Sequence, residues 1–459
     1  MNPNILQPFP VPGTGEIREI LVKRVDQQRQ AVGIVVGVIE PAGRRVVAYG
    51  NLAKGDPRTL DGDTIFEIGS VTKVFTSLLL ADMVNREEVA LDDPAAKYLP
   101  ENVRMPERSG KSIRLLDLST HSSGLPPLPG NLLAKLADDP RNPNPDYSVD
   151  DLYQFLSGYT LPRDPGSEFE YSNLGAGLLG HLLACRAGTD YESLIRSNIA
   201  RPLSMPDTGI MLSSSMKQRM ATGHNAMLAP VANSYLPTPL AGAGALRSSA
   251  NDILTFLEAF LGYKESPLAP AMKAMLEVRR PAGQMKIGLG WLTYSTDGRE
   301  IAGHNGRTGG FCSTVGYGPE ERIGVVVLSN ASTPGGVDDI GLHLLNPKVP
   351  LANPEPPRQH TEIHINPKFL DNYKGRYQVT PNLIFEITRD GDRLFAQGFA
   401  QATGQPIALP KFELFAEGEK NFFGRVADHH FAFETGPEGR ATSLILRRAG
   451  RDMPAVRLP

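Results

Sequence analysis

A serine three residues ahead of a lysine can act as a nucleophile that carries its own base. The chain holds two such pairs, Ser70-Val71-Thr72-Lys73 and Ser214-Ser215-Met216-Lys217. A chain of this length meets the bare pattern by chance, so context decides between them. Ser70 opens a stretch that is apolar almost all round (Val71, Val74, Phe75, Leu78, Leu79, Leu80, Met83, Val84), which predicts a buried helix over 70–84. On that helix Lys73 falls one turn along, on the same face as Ser70. An ammonium group there is costly unless it is paired, and loss of hydration lowers its pKa. Lys73 is therefore fit to remove the proton of the Ser70 hydroxyl. Ser214 and Lys217 lie in a polar run with Ser213, Ser215, Gln218 and Arg219, where nothing desolvates the amine.

Two further groups carry compatible chemistry. In Tyr171-Ser172-Asn173, a phenol near a cation can relay a proton, and a neighbouring amide can hold Lys73 and a substrate carbonyl. His304-Asn305-Gly306-Arg307, followed by Gly309 and Gly310, precedes the strand pattern Cys312–Tyr317. A glycine-rich entry to an edge strand lets the backbone approach a bound acyl group and offers N–H groups to an oxyanion. Ser70, Lys73 and Tyr171 are thus the candidate catalytic residues; Asn173, His304, Asn305, Gly306 and Arg307 are the candidate substrate-binding ones.

Other patterns fail on context. Gly175-Ala-Gly177-Leu-Leu-Gly180 spells a dinucleotide fingerprint, but no strand precedes it, so it reads as a tightly packed helix start. Ser109-Gly110-Lys111-Ser112 lacks the earlier glycine of a P-loop, with Met105 in its place. The elbow G-x-S-x-G is absent. His429 and His430, adjacent on a strand pattern, must point to opposite faces.

The elements that must position these residues follow a simple order. An amphipathic helix over Glu16–Gln30 leads into β-rich runs at Ala31–Ile39 and Arg45–Tyr49 around a turn at Pro41–Gly43, a hairpin signal. Helical patterns alternate with Pro-, Gly- and Asp-rich loops over about 90–280. A second hairpin follows at Cys312–Tyr317 and Ile323–Ser329. Strands at both ends with helices between predict an α+β unit with one antiparallel sheet. Six prolines between Asn346 and Pro367 read as a stiff linker. Beyond it, about eight short alternating runs from Tyr373 to Leu458 predict a small β-barrel or sandwich.

Composition agrees with an ordinary globular protein: 459 residues, 41% hydrophobic, 47 basic against 50 acidic, net charge −3. That balance argues against a dedicated nucleic-acid binder, and no run is long and apolar enough to span a membrane. Cys185 and Cys312 are too few for a disulfide framework and read as two free thiols, with a single bridge as the alternative. The first twenty residues have no basic and then apolar leader pattern. The expectation is a cytoplasmic protein, or a periplasmic or secreted one if an export signal has been removed.

The order Ser-x-x-Lys, Tyr-x-Asn, His-x-Gly resembles the serine β-lactamase and penicillin-binding-protein superfamily, in its branch of class C β-lactamases, D-alanyl-D-alanine carboxypeptidases and family VIII esterases. Phe66-Glu67-Ile68-Gly69-Ser70, Leu118-Ser-Thr-His121-Ser-Ser-Gly124-Leu125-Pro126, Arg201-Pro202-Leu203-Ser204-Met205 and Gly303-His304-Asn305-Gly306 fall in that family's order. The resemblance spans about 15–335, and the segment from Tyr373-Lys-Gly375-Arg-Tyr377 resembles a lipocalin-like appended domain. It implies a β-lactamase/transpeptidase-like catalytic domain over 1–345, a Pro-rich linker over 346–367 and a barrel over 368–459. It also implies a serine hydrolase of amide, D-amino-acid peptide or ester bonds. Ser70 would be acylated and Lys73 would accept its proton. Tyr171 would serve the leaving group and the deacylating water, and the N–H groups of Ser70 and Arg307 would form the oxyanion hole. The alternatives are true lactam turnover, or a sensor module that stays acylated. His121 and Cys312 read as structural. No cofactor or metal is expected, the partner is a small molecule or peptide, and a homo-oligomer stays open. Where many β-lactamases carry Lys-Thr-Gly, this chain has His304-Asn305-Gly306, so a partly charged ring replaces a fixed cation.

Overall fold

The computed structural model describes residues 10–138, 146–234, 236–296, 298–358, 360–402, 405–409, 411–425, 429–448 and 451–459. The first nine residues of the segment read for an export signal lie outside them. The first helix, α1 (Thr14–Val22), continues as one wider turn over Lys23–Gln27. The expected hairpin follows as β1 (Gly33–Glu40) and β2 (Gly43–Gly50). Near the other end of the catalytic unit come β3 (Arg280–Ala282), β4 (Met285–Ile287), β5 (Leu292–Thr296), β6 (Arg299–Arg307), β7 (Cys312–Gly318) and β8 (Ile323–Ser329). These eight strands form one antiparallel sheet in the order β2-β1-β8-β7-β6-β5-β4-β3. Chain ends far apart in sequence therefore meet at its centre, where Val36 of β1 pairs with Val327 of β8.

The sheet departs from expectation at its right half. Three strands between Arg280 and Thr296 fall just past the helix-and-loop region, where no strand was read. His304–Arg307 is not a loop leading into an edge strand: it is the end of β6, paired with β7 on one side, while the β5 pairing stops at Gly303 and β7 itself lies inside the sheet. Asparagine and glycine favour strands poorly, so this stretch reads as loop until β7 pairs with it.

One sheet face is covered by α1 and by a helix over Asp338–Leu345, around a core of Ile34, Val36, Val325 and Val327. The other face meets α2 (Thr72–Asn85), the predicted buried helix, and a helix over Ala250–Phe260. Phe75 of α2 stacks on Phe256, ring centroids 4.4 Å apart, which ties the two together. Beyond α2 lies a helical region built on α3 (Gly130–Asp138), α4 (Val149–Gly158) and α5 (Asn173–Ala187). The Gly175–Gly180 pattern falls inside α5. Gly177 and Gly180 admit the backbone of Leu240 and Gly242 against the helix, as a packing role requires.

The proline-rich segment is pinned to the catalytic unit rather than standing free of it. Ala352 N–H donates to Asp339, Gln28 Nε2 to Asn353, and Gln30 Nε2 to the Glu355 carbonyl, at 2.8–3.0 Å. Its far end is held by the barrel, where Ile363 N–H donates to the Ala416 carbonyl at 2.8 Å. The barrel strands are β9 (Gly375–Thr380), β10 (Leu383–Asp390), β11 (Arg393–Ala402), β12 (Gln405–Ala408), β13 (Phe412–Ala416), β14 (Asn421–Gly424), β15 (His429–Thr435), β16 (Ala441–Arg448) and β17 (Arg451–Arg457). All but β12 close into an eight-strand antiparallel ring through the β10–β11 pairing, and β12 extends from β11 as a hairpin arm. The interior is filled by Tyr373, Tyr377, Phe385, Phe422, Phe431 and Phe433. His429 and His430 do face opposite ways: His429 packs against Phe412, and His430 Nε2 meets Glu417 at 2.7 Å.

One close approach sets the geometry of the whole catalytic unit. A Cβ on Gly306 would lie 2.0 Å from the carbonyl oxygen of Ile68, so β6 touches the residue pair that leads into α2. Ser313 Oγ, opposite Gly306 on β7, donates to the same carbonyl at 2.8 Å. Gly306→Ala must push these segments apart, and overpacking of this kind costs about 1–3 kcal/mol. The expected result is a lower denaturant midpoint with an unchanged slope, together with loss of turnover; a variant of wild-type stability and activity would show that the approach is slack.

Candidate active site

Ser70 is placed by a backbone turn that only glycine adopts easily. Gly69 has φ +49°, and its short helical turn, Gly69–Val71, leads directly into α2. The Ser70 N–H thus lies in a first helical turn, where donors have no intrahelical acceptor. The Arg307 nitrogen is next to it, 2.7 Å from where a Cβ on Gly69 would sit. The backbone nitrogens of Ser70 and Arg307 therefore both lie beside the turn that carries Ser70.

Lys73 is 2% exposed, and its Nζ has three oxygen neighbours: Ser70 Oγ at 2.8 Å, Asn173 Oδ1 at 2.8 Å and the Ala243 carbonyl at 2.6 Å. Among the described residues no carboxylate pairs with it. Burial therefore disfavours the ammonium, and the amine is pulled down to about 7. Two of the three neighbours, the amide oxygen and the carbonyl, can only accept. Once neutral, Lys73 points its two N–H bonds at those acceptors and its lone pair at the Ser70 hydroxyl.

Tyr171 precedes α5, in an extended segment fixed from both sides. Ser172 Oγ caps the helix by accepting from Gly175 N–H at 2.8 Å and donates to the Pro126 carbonyl at 2.7 Å. The Tyr171 ring lies 4.9 Å from Lys73 Nζ and 4.5 Å from the ring of His121. Burial pushes the phenol up to about 12, against a smaller lowering by the Ser70 hydroxyl, so it stays protonated near neutrality. His121 Nδ1 accepts the Ser172 N–H at 3.2 Å, and burial holds its ring well below the usual histidine range. It is a neutral wall behind the phenol.

His304 lies across the cluster, with its ring 6.4 Å from that of Tyr171. Its Nδ1 faces the Asn305 carbonyl at 2.7 Å. A carbonyl only accepts, so Nδ1 carries the proton and Nε2 keeps a lone pair. Burial first, and the charge of Lys73 second, lower His304 to about 4. The ring is therefore neutral at pH 7, and the partial charge expected from its ordinary pKa is lost to burial.

Ser70, Lys73, Tyr171, Asn173 and His304 are thus gathered around one point, together with the backbone of Gly306 and Arg307. The side chains of Asn305 and Arg307 are not. Alternation along β6 turns Asn305 to the opposite sheet face, where its Nδ2 donates to Asp338 at 2.7 Å. The Arg307 guanidinium donates to the Thr333 carbonyl at 2.6 Å. Side-chain motifs gave no sign of the Ala243 carbonyl. The small-residue run Ala241-Gly242-Ala243-Gly244, which lets backbone come close, was the available signal. The second Ser-x-x-Lys pair lies on an exposed helix, Ser214–Arg219, with Lys217 in solvent. Cys312 is buried and Cys185 exposed, both free. Among the described residues no cluster of His, Cys, Asp or Glu could hold a metal ion, and no helix is long and apolar enough to cross a membrane.

A buried helix that presents serine and an uncompensated lysine beneath a central antiparallel strand defines a serine hydrolase of the β-lactamase/transpeptidase-like class. A sequence model of the Beta-lactamase family matches residues 19–346, and the chain belongs to that family. It is 30% identical over 318 residues to the D-alanyl-D-alanine-carboxypeptidase/endopeptidase AmpH of Escherichia coli strain K12, covering 66% of this chain and 80% of that one. It is 27% identical over 358 residues to a Beta-lactamase of Pseudomonas fluorescens, covering 70% and 95%. Among solved structures, a class C beta lactamase from Rhodobacter sphaeroides superposes with a TM-score of 0.60 at 27% identity, covering 69% of this chain and 95% of that one.

The buried amine sets a pH dependence. Only neutral Lys73 can take the Ser70 proton, so acylation should rise with pH around a midpoint near 7 and level off above it. Lys73→Met should lower the acylation rate about 10²–10⁴-fold on the plateau above pH 7 and abolish that limb, so that the loss shrinks toward acid pH. Stopped-flow acylation between pH 5 and 9 is the check; a flat profile in the parent protein would remove Lys73 as the base.

Proposed function

We propose that the protein hydrolyses ester, amide and D-amino-acid peptide bonds through an acyl-enzyme on Ser70, its catalytic unit lying within 1–345, the linker within 346–367 and the barrel within 368–459. The observation that carries this reading is the Lys73 amine, buried 2.8 Å from Ser70 Oγ with no counter-ion among the described residues. In acylation the Ser70 oxygen bonds to the substrate carbonyl carbon while Lys73 takes its proton. The carbonyl oxygen becomes an oxyanion facing the N–H groups of Ser70 and Arg307. The bond to the leaving group then breaks; the leaving group takes the Tyr171 proton, and Tyr171 regains one from Lys73. Water repeats the sequence in reverse, giving its proton back through Tyr171 and Lys73 to the departing Ser70 oxygen. Asn173 Oδ1 holds the amine, which leaves its NH₂ to a substrate carbonyl.

The neutral His304 supports a preference for uncharged leaving groups. A β-lactam carboxylate would find no fixed cation at this position. Among a p-nitrophenyl ester, a D-Ala-D-Ala peptide and nitrocefin, turnover is therefore expected to favour the ester, since the peptide's leaving D-alanine carries a carboxylate as the lactam does.

Ser70→Ala should abolish hydrolysis and covalent labelling by a fluorophosphonate, with the fold intact by circular dichroism. Intact-protein mass spectrometry is the check, and an adduct on Ser214 would overturn the assignment. His304→Lys should raise nitrocefin turnover relative to the neutral ester. It should also shift the acidic limb to lower pH, because a second cation beside Lys73 further disfavours the ammonium. An unchanged substrate ratio would place the carboxylate elsewhere.

A further inference from the structure

His121 occupies a backbone position that histidine does not favour. It follows the short helix Leu115–Ser119, and its φ of +53° is left-handed. Ser122 N–H donates back to the Asp117 carbonyl at 2.8 Å, the bond that closes a helix end of this kind. Glycine or asparagine normally takes this place, because a larger side chain is strained there. Ending the helix gives no reason for an imidazole.

The surroundings of the ring supply one. Tyr171 lies in an extended segment, and the N–H groups on either side of it both end on His121. Glu170 N–H donates to the His121 carbonyl at 2.7 Å, and Ser172 N–H donates to Nδ1 at 3.2 Å. The ring meets Phe169 edge-on, with centroids 5.8 Å apart, and lies 4.5 Å from the Tyr171 ring; these two residues alternate along the segment. One residue thus grips the chain before the phenol, after it and along one face. Because Nδ1 accepts, the neutral ring keeps its proton on Nε2. A protonated ring would set an N–H against the Ser172 N–H and break the grip. Burial keeps the ring neutral, as the grip requires.

We propose that His121 is a positioning residue for Tyr171: by holding both flanking amides it aims the phenol at the leaving group, and so extends the enzyme to esters and amides whose leaving groups must be protonated to depart. The task given to Tyr171 rests on the acyl-enzyme reading; the hold on it does not.

The test compares ethyl butyrate with p-nitrophenyl butyrate. Both give the same acyl-enzyme, but p-nitrophenolate departs without a proton and ethoxide does not. The kcat/KM values run only as far as loss of the leaving group, so their ratio isolates proton delivery from deacylation. Asparagine and leucine share one branched shape, but only asparagine brings an oxygen near the place of Nδ1, and it tolerates the left-handed backbone. His121→Leu should lower kcat/KM for ethyl butyrate about tenfold or more beyond any loss for p-nitrophenyl butyrate. His121→Asn should return that ratio to within about threefold of the parent's. His121→Gly relieves the strained turn and lacks the acceptor, so it should shift the ratio as leucine does, and it decides the matter if the leucine variant does not fold. A parental ratio in folded His121→Leu or His121→Gly overturns the proposal, as does an asparagine ratio no nearer the parent's than theirs. Hydrogen exchange of the peptide over 168–174, measured by mass spectrometry in a Ser70→Ala background, needs no turnover. It should quicken with His121→Leu and not with His121→Asn; equal exchange in both overturns the hold itself. If exchange moves as expected while the parent protein hydrolyses neither ester nor a D-Ala-D-Ala peptide, the acyl-enzyme reading falls and the hold on Tyr171 stands.

Discussion

Everything in the catalytic unit depends on keeping one amine out of water without giving it a carboxylate. Lys73 is enclosed by α2, by α5 and by the Ala243 backbone, and its neighbours are neutral oxygens. A paired lysine would stay charged and useless as a base; a solvated one would do the same. The surrounding fold is arranged to exclude both outcomes. His121 and His304, two residues that could share or compete for protons nearby, are themselves held neutral by burial. The site thus concentrates its one titration near neutrality in a single group.

The sheet supplies the second requirement, a rigid wall opposite the nucleophile. β6 is bonded to β5 as far as Gly303 and to β7 beyond it, and that end presses Gly306 against Ile68. Strand alternation then sorts four consecutive residues into different tasks. His304 and Gly306 face the cluster, while the Asn305 and Arg307 side chains leave it and bond to Asp338 and Thr333. The backbone of Arg307 stays where its side chain does not.

Much of this was legible in the sequence, and the gaps have physical causes. The buried helix, both hairpins and the eight-strand barrel follow from apolar periodicity, which tertiary packing does not override. Ser70 was separable from Ser214 because only one of them opens an apolar helix. The strands from Arg280 to Thr296 escaped notice because they are short, and the end of β6 because its residues favour loops until β7 pairs with them. Asn305 was assigned to the site by motif; the period of two that turns it away could be applied only once the stretch was known to be strand. The Ala243 carbonyl is backbone, and no residue type announces a backbone acceptor. The ionisation of His304 depends on burial, which a residue's identity does not contain.

The appended barrel has a property that matters when it is loosened. A closed ring of strands has no free edge, and this one is filled by aromatic rings rather than a ligand cavity. The arm strand β12 is the exception, since among the described residues it pairs with β11 alone, and its backbone runs near α3. In the assembled molecule α3 lies next to that strand. Lifting the barrel takes the strand away from the helix, and an unpaired strand edge is a template for a second chain. The seating of the barrel thus guards against self-association, so colloidal stability and domain docking are coupled through one four-residue strand.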